Sequence, residues 1–254
     1  MRNLVLVLMS LLIGLFTVGC NQADEPVGIS SEGSAALSKS RPSVETAISS
    51  AQTGTVTVIH GVPGLTVDVY VNGSKTLAAF EPWTVTDPLQ LPEGNYNIVI
   101  VPEGGNPANP AISGSAFLPA GANVSIIAHL TATGAPTLSV FVNDVSDLKS
   151  GTGRLTVRHT AQAPAVDLQL YRGDSTDKLL GVFRNLSNPN QISSDARPGD
   201  YTVTLTPSGT STVVFGPTTF GLQPKRSTIF YAVGSISDGS FRLLAQKINL
   251  NYGK

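Results

Sequence analysis

A single cysteine, Cys20, and three histidines, His60, His129 and His159, are all that the 254 residues offer to thiol or imidazole chemistry. That excludes a disulfide scaffold, a zinc ribbon and a cysteine-held cluster. Charged residues make up only 13% and the formal net charge is -1, so no chain-wide basic surface exists and nucleic acid is not expected as a partner. The G-x-S-x-G elbow, the phosphate loop, the G-x-G-x-x-G turn, the H-E-x-x-H pair and the EF-hand loop are all missing, which removes the enzymes with readable local signatures. Beyond the N-terminal segment no helical pattern of useful length occurs. What is plentiful is 25 Gly and 17 Pro between short apolar runs, the profile of an all-β chain with many turns.

The N-terminus is organised differently. After Met1-Arg2-Asn3 the stretch from Leu4 to Phe16 is apolar except for Ser10 and Gly14, and it ends at Thr17-Val18-Gly19-Cys20. It is short for a permanent membrane helix and suits the apolar region of a secretory signal. With the sole cysteine at the cleavage point, the segment resembles a bacterial lipoprotein signal. The resemblance implies that residues 1–19 are removed, that Cys20 is acylated, and that the membrane is a partner through the N-terminal lipid. Asn21 rather than Asp after the cysteine implies the outer membrane of a Gram-negative envelope. Residues 20–53 carry no aromatic residue and little apolar periodicity, which reads as a flexible tether.

Comparing the remainder with itself reveals a duplication. Gly54-Thr-Val-Thr-Val-Ile-His60 matches Gly153-Arg-Leu-Thr-Val-Arg-His159, and Val67-Asp68-Val69 matches Val166-Asp167-Leu168 at the same offset of 99. Pro92 to Tyr96 matches Arg197 to Tyr201 at an offset of 105, so the second copy holds six extra residues between Leu170 and Arg197. Apolar residues alternate in Val56, Val58, His60, in Val67, Val69, Val71, and in Tyr96, Ile98, Ile100, each a strand pattern. Asn72-Gly73 between two such runs predicts a type I′ hairpin. The Pro-x-Gly-x-Tyr turns ending at Tyr96 and Tyr201 resemble the tyrosine corner of Greek-key sandwiches. The expectation is two tandem immunoglobulin-like or transthyretin-like β-sandwiches, residues 54–148 and 149–254.

These same residues, His60, Pro63, Val67-Asp68-Val69-Tyr70 and Pro92 to Tyr96, resemble the bacterial family called domain of unknown function 4397. His159, Pro164, Val166-Asp167-Leu168 and Pro198 to Tyr201 repeat the pattern, with Gln169 where Tyr70 stands. The resemblance implies a fold and no activity.

Candidate site residues follow from the repeat. His60 and His159 share strand parity with core valines and leucines, which predicts structural histidines rather than general bases. Asp68 and Asp167 have the opposite parity and are expected to point outward into solvent. His60 and His159 lie in separate copies and Gly234 stands opposite His129, so no metal site and no cofactor is expected. Trp83 and Tyr70 are the candidate ligand contacts, Trp83 either as an exposed platform or as packing. Seven Asp or Glu against Lys75 in residues 55–147, and twelve Lys or Arg against six Asp in residues 148–254, predict electrostatic docking between the copies. Together these point to a lipid-anchored envelope module, binding or structural, without a catalytic role and with its ligand open, an envelope protein or polysaccharide being the candidate partner. The rivals are an envelope-polymer hydrolase using His60 or His159 and an adhesin-like carbohydrate binder using Trp83. A pocket with convergent polar groups favours the hydrolase, an aromatic platform the adhesin, and sheets without a pocket the structural module.

Overall fold

The computed structural model describes residues 52–251. Cys20, the signal segment and all but the last two residues of the expected tether lie outside the described residues. The described chain is all-β: sixteen strands in four four-stranded sheets, forming two sandwiches in tandem. In the first, one sheet has the order β4-β1-β7-β8 and the other β3-β2-β5-β6; the second repeats this as β12-β9-β15-β16 and β11-β10-β13-β14. Here β1 is Thr53–His60, β2 Val67–Val71, β3 Ser74–Phe80, β4 Leu89–Pro92, β5 Gly94–Pro102, β6 Ile112–Leu118, β7 Asn123–Leu130 and β8 Pro136–Val142. Their counterparts are β9 Gly153–His159, β10 Val166–Arg172, β11 Leu179–Leu186, β12 Gln191–Ala196, β13 Gly199–Pro207, β14 Phe215–Leu222, β15 Arg226–Val233 and β16 Arg242–Asn249.

Local chemistry accounts for the turns. Asn72 and Gly73 both have positive φ, 50° and 83°, and close the β2–β3 hairpin as the sequence predicts. In the second copy the corresponding hairpin, β10–β11, runs through residues 173–178, and the extra residues are spent there. The Tyr96 hydroxyl donates to the Pro92 carbonyl at 2.6 Å, and the Tyr201 hydroxyl does the same to Arg197 at 2.6 Å, pinning the entry to β5 and β13.

The two sandwiches belong to one compact unit. Strand alternation explains why. On β1 and β7, Val56, Val124, Ile126 and Ala128 face their own core, while Ile59 and Ile127 face the other way into a cluster with Ile229, Tyr231 and Val233 of β15. The sheets carrying β1 and β15 are therefore covered on both faces, and β7 and β9 are buried along almost their full length.

These two sheets make the contact between the repeats. Its centre is apolar, and beside it runs a buried polar network that needs no carboxylate. Arg158 donates to Gln191 Oε1 at 2.8 Å, to the Tyr231 hydroxyl at 2.6 Å and to Asn143 Oδ1 at 2.9 Å, and its guanidinium lies 4.4 Å from the Phe141 ring centre. Tyr231 donates in turn to Gln246, whose amide reaches Thr57 of the first repeat at 3.0 Å. Every buried side-chain nitrogen and oxygen among the described residues has a partner. One ion pair, Arg154 with Asp144 at 2.8 Å, ties the second repeat to the connecting segment.

Candidate functional site

The repeated histidine is a loop clamp. His60 Nε2 donates to the Leu65 carbonyl at 2.8 Å while its Nδ1 accepts the Val62 amide at 3.3 Å, and His159 does the same with Pro164 at 3.0 Å and Ala161 at 3.4 Å. That pairing fixes the neutral ring and occupies both nitrogens. Burial holds both histidines below the usual imidazole range, although the carbonyl contacts work the other way. No hydrogen bond joins either histidine to its repeat's aspartate among the described residues, so the sequence pairing is not a dyad in space.

The aspartates required a correction. Asp68 and Asp167 do lie on the sheet face away from the core, but a neighbouring bulge and turn enclose them, and they are 2% and 3% exposed. Each stands opposite a bulge, where Ala79 and Asn185 adopt positive φ, and accepts that residue's amide at 3.0 and 2.8 Å. The other carboxylate oxygen takes the amide of Gly104 or Gly209 in the following turn, at 3.0 and 3.3 Å. Lys75 also bonds Asp68 at 2.7 Å and, with the two amides, holds its pKa down at about 2; the Asn185 amide leads the same effect on Asp167. Parity identifies the face but not what packs over it. Their position explains why the Val-Asp pair recurs together with the turns Pro102-Glu103-Gly104 and Pro207-Ser208-Gly209.

The aromatic candidates are engaged. Trp83 is half-buried against the joint between repeats, with the Arg242 guanidinium 4.0 Å from its ring centre, and Tyr70 carries the Lys75 ammonium at 5.5 Å. No group of three His, Cys, Asp or Glu side chains suited to a metal ion occurs among the described residues.

The feature that sequence reasoning missed is a cavity. Between the sheets of the first sandwich lies a void of about 190 Å³, lined by apolar side chains from β1 to β8 with only the hydroxyls of Thr76 and Tyr96 to interrupt them. Of its lining residues, Leu89 and Phe117 are 36% and 52% exposed. The second sandwich is the internal control. Register equates Ala116 with Phe220, Ile126 with Phe230 and Leu77 with Phe183: each pair is set by the same partner in the neighbouring strand. Three phenyl rings thus stand where the first copy has smaller groups. Phe220 stacks on Tyr201 at 6.0 Å and meets Phe230 edge-on at 4.9 Å, and beside Phe183 a void of about 10 Å³ lies among Leu155, Val157 and Leu168. The edge strands β11 and β12 also come into contact there.

An all-β protein of two stacked sandwiches, one hollow and one filled, is the class this geometry defines. A family model described as "Domain of unknown function (DUF4397)" matches residues 54–169, which covers the hollow sandwich and the first strands of the filled one. No curated protein matches the chain. Among solved structures "The Bacillus anthracis TIE protein" is similar over 80% of this chain and 32% of its own length, at 12% identity and a TM-score of 0.22. The chain thus spans about a third of that protein.

Proposed function

We propose that this protein is a lipid-anchored binding module of the bacterial cell envelope that has no catalytic role and receives an apolar group in its first sandwich. The anchor rests on Cys20 at the end of a signal-like segment, and the outer membrane on Asn21. The binding role rests on one observation, the cavity of about 190 Å³ that the second copy fills. An engineered apolar cavity of about 150 Å³ stays dry and admits benzene, so this space suffices for one ring or a short alkyl segment. It is smaller than the roughly 300–1,000 Å³ of pockets for drug-sized molecules, so the occupant inserts a part of itself. Burying about six methylenes at about 0.8 kcal/mol each gives about 5 kcal/mol, a dissociation constant of about 0.1–1 mM. Such affinity suits a ligand concentrated at a membrane surface.

Ala116→Phe installs the second copy's own residue. Native mass spectrometry of the protein isolated from its envelope should show a bound apolar molecule on the wild type and none on Ala116→Phe, with the variant still folded. Identical adducts on both proteins, or none on either in a Cys20→Ala background, would defeat the proposal.

A further inference from the structure

We infer that the cavity accepts a hydrocarbon chain whose polar end is uncharged or positive, and rejects anionic amphiphiles; this rests on the cavity being a binding site. Among the described residues, no side chain that lines the cavity is a cation. The Thr76 hydroxyl donates to the Ser74 carbonyl at 3.2 Å and the Tyr96 hydroxyl to Pro92 at 2.6 Å, so both protons are already committed. The single cation of the first repeat, Lys75, is bound to Asp68 at 2.7 Å. Drawing its ammonium towards a ligand carboxylate would strip a charge partner from an aspartate that is 2% exposed.

The rim adds repulsion to this lack of attraction. Leu89 and Leu91 on β4 line the cavity, and exposed Asp87 and Glu93 bracket that strand. A carboxylate anchored at the mouth would sit among like charges on a repeat that already carries a large acidic excess. An alcohol, ester or ammonium meets no such penalty. The same chemistry has two sources, the protein's own acyl group on Cys20 and a separate envelope lipid.

Full-length protein carrying Cys20→Ala, titrated at neutral pH with 1-octanol, octylammonium and octanoate by methyl-resonance NMR, tests this. Octanol and octylammonium should perturb methyl signals of Ile126 and Leu91, with octanoate at least tenfold weaker. Asp87→Asn with Glu93→Gln should narrow that gap, and Ala116→Phe should abolish all three responses. Octanoate binding as tightly as octanol would overturn the inference while leaving the cavity a binding site; silence from every probe would overturn both. On lipidated wild-type protein, exclusion of octanol identifies the protein's own chain as the occupant, and its admission identifies an external lipid.

Discussion

Arg158→Ala is expected to destabilise both sandwiches together, by about 3–5 kcal/mol. The guanidinium is buried and bonded to Gln191, Tyr231 and Asn143 with no carboxylate nearby. Its removal leaves the buried Tyr231 hydroxyl and Asn143 amide oxygen each short of a partner, at about 1–3 kcal/mol apiece, while water replaces the bond to exposed Gln191. It also removes the cover from Phe141 and Tyr231. Because Tyr231 continues the network through Gln246 to Thr57, the loss reaches the first repeat. Urea unfolding followed by far-ultraviolet circular dichroism should show one transition in the wild type and one, at lower urea, in the variant. A loss below about 1 kcal/mol, or two separate transitions in the wild type, would contradict a shared joint.

Acid should weaken the fold in two stages. His60, His129 and His159 are all held below the ordinary value of 6.5, in each case chiefly by burial. Each is bonded as a neutral ring; His129 does so with the Leu130 carbonyl at 2.9 Å and the Ser139 hydroxyl at 2.8 Å. The unfolded chain takes up protons near pH 6.5 while the folded one does not, so stability falls as pH drops below that value. Each histidine contributes a slope of up to about 1.4 kcal/mol per pH unit, or up to about 4 for the three. The carboxylates come later. Asp68, held at about 2 by Lys75 and the two backbone amides, and Asp167, also lowered, contribute stability that is full above the unfolded value of 3.8 and is lost as pH falls through their folded values. Urea midpoints should be level above about pH 7 and decline from about pH 6.5 downward. A level midpoint down to about pH 4.5 would show that the histidines are not buried as neutral rings.

Much of the fold can be read from residue order. The offset of 99 between His60 and His159 exposes the duplication, and Asn72-Gly73 and the two tyrosine turns place hairpins and corners that the structure contains. The joint was harder to see because Thr57 and Ile59 look like the outward half of an ordinary alternation. The near-continuous run Val124-Ser-Ile-Ile-Ala-His-Leu130 was the available sign of a strand covered on both faces. The cavity was hidden by register. Ala116 corresponds to Phe220 at an offset of 104, and the longer β10–β11 hairpin sets Leu77 against Phe183 at an offset of 106, so the offsets of 99 and 105 that expose the duplication align none of the decisive positions.

The central claim is that the first sandwich is built hollow and the second filled, at three equivalent positions. A crystal structure under xenon pressure tests it most directly, because xenon enters apolar space without needing a polar contact. The account predicts a xenon site between Ala116 and Ile126 in the wild type, none in the second sandwich, and none in Ala116→Phe. Xenon in neither sandwich, or equally in both, would contradict it.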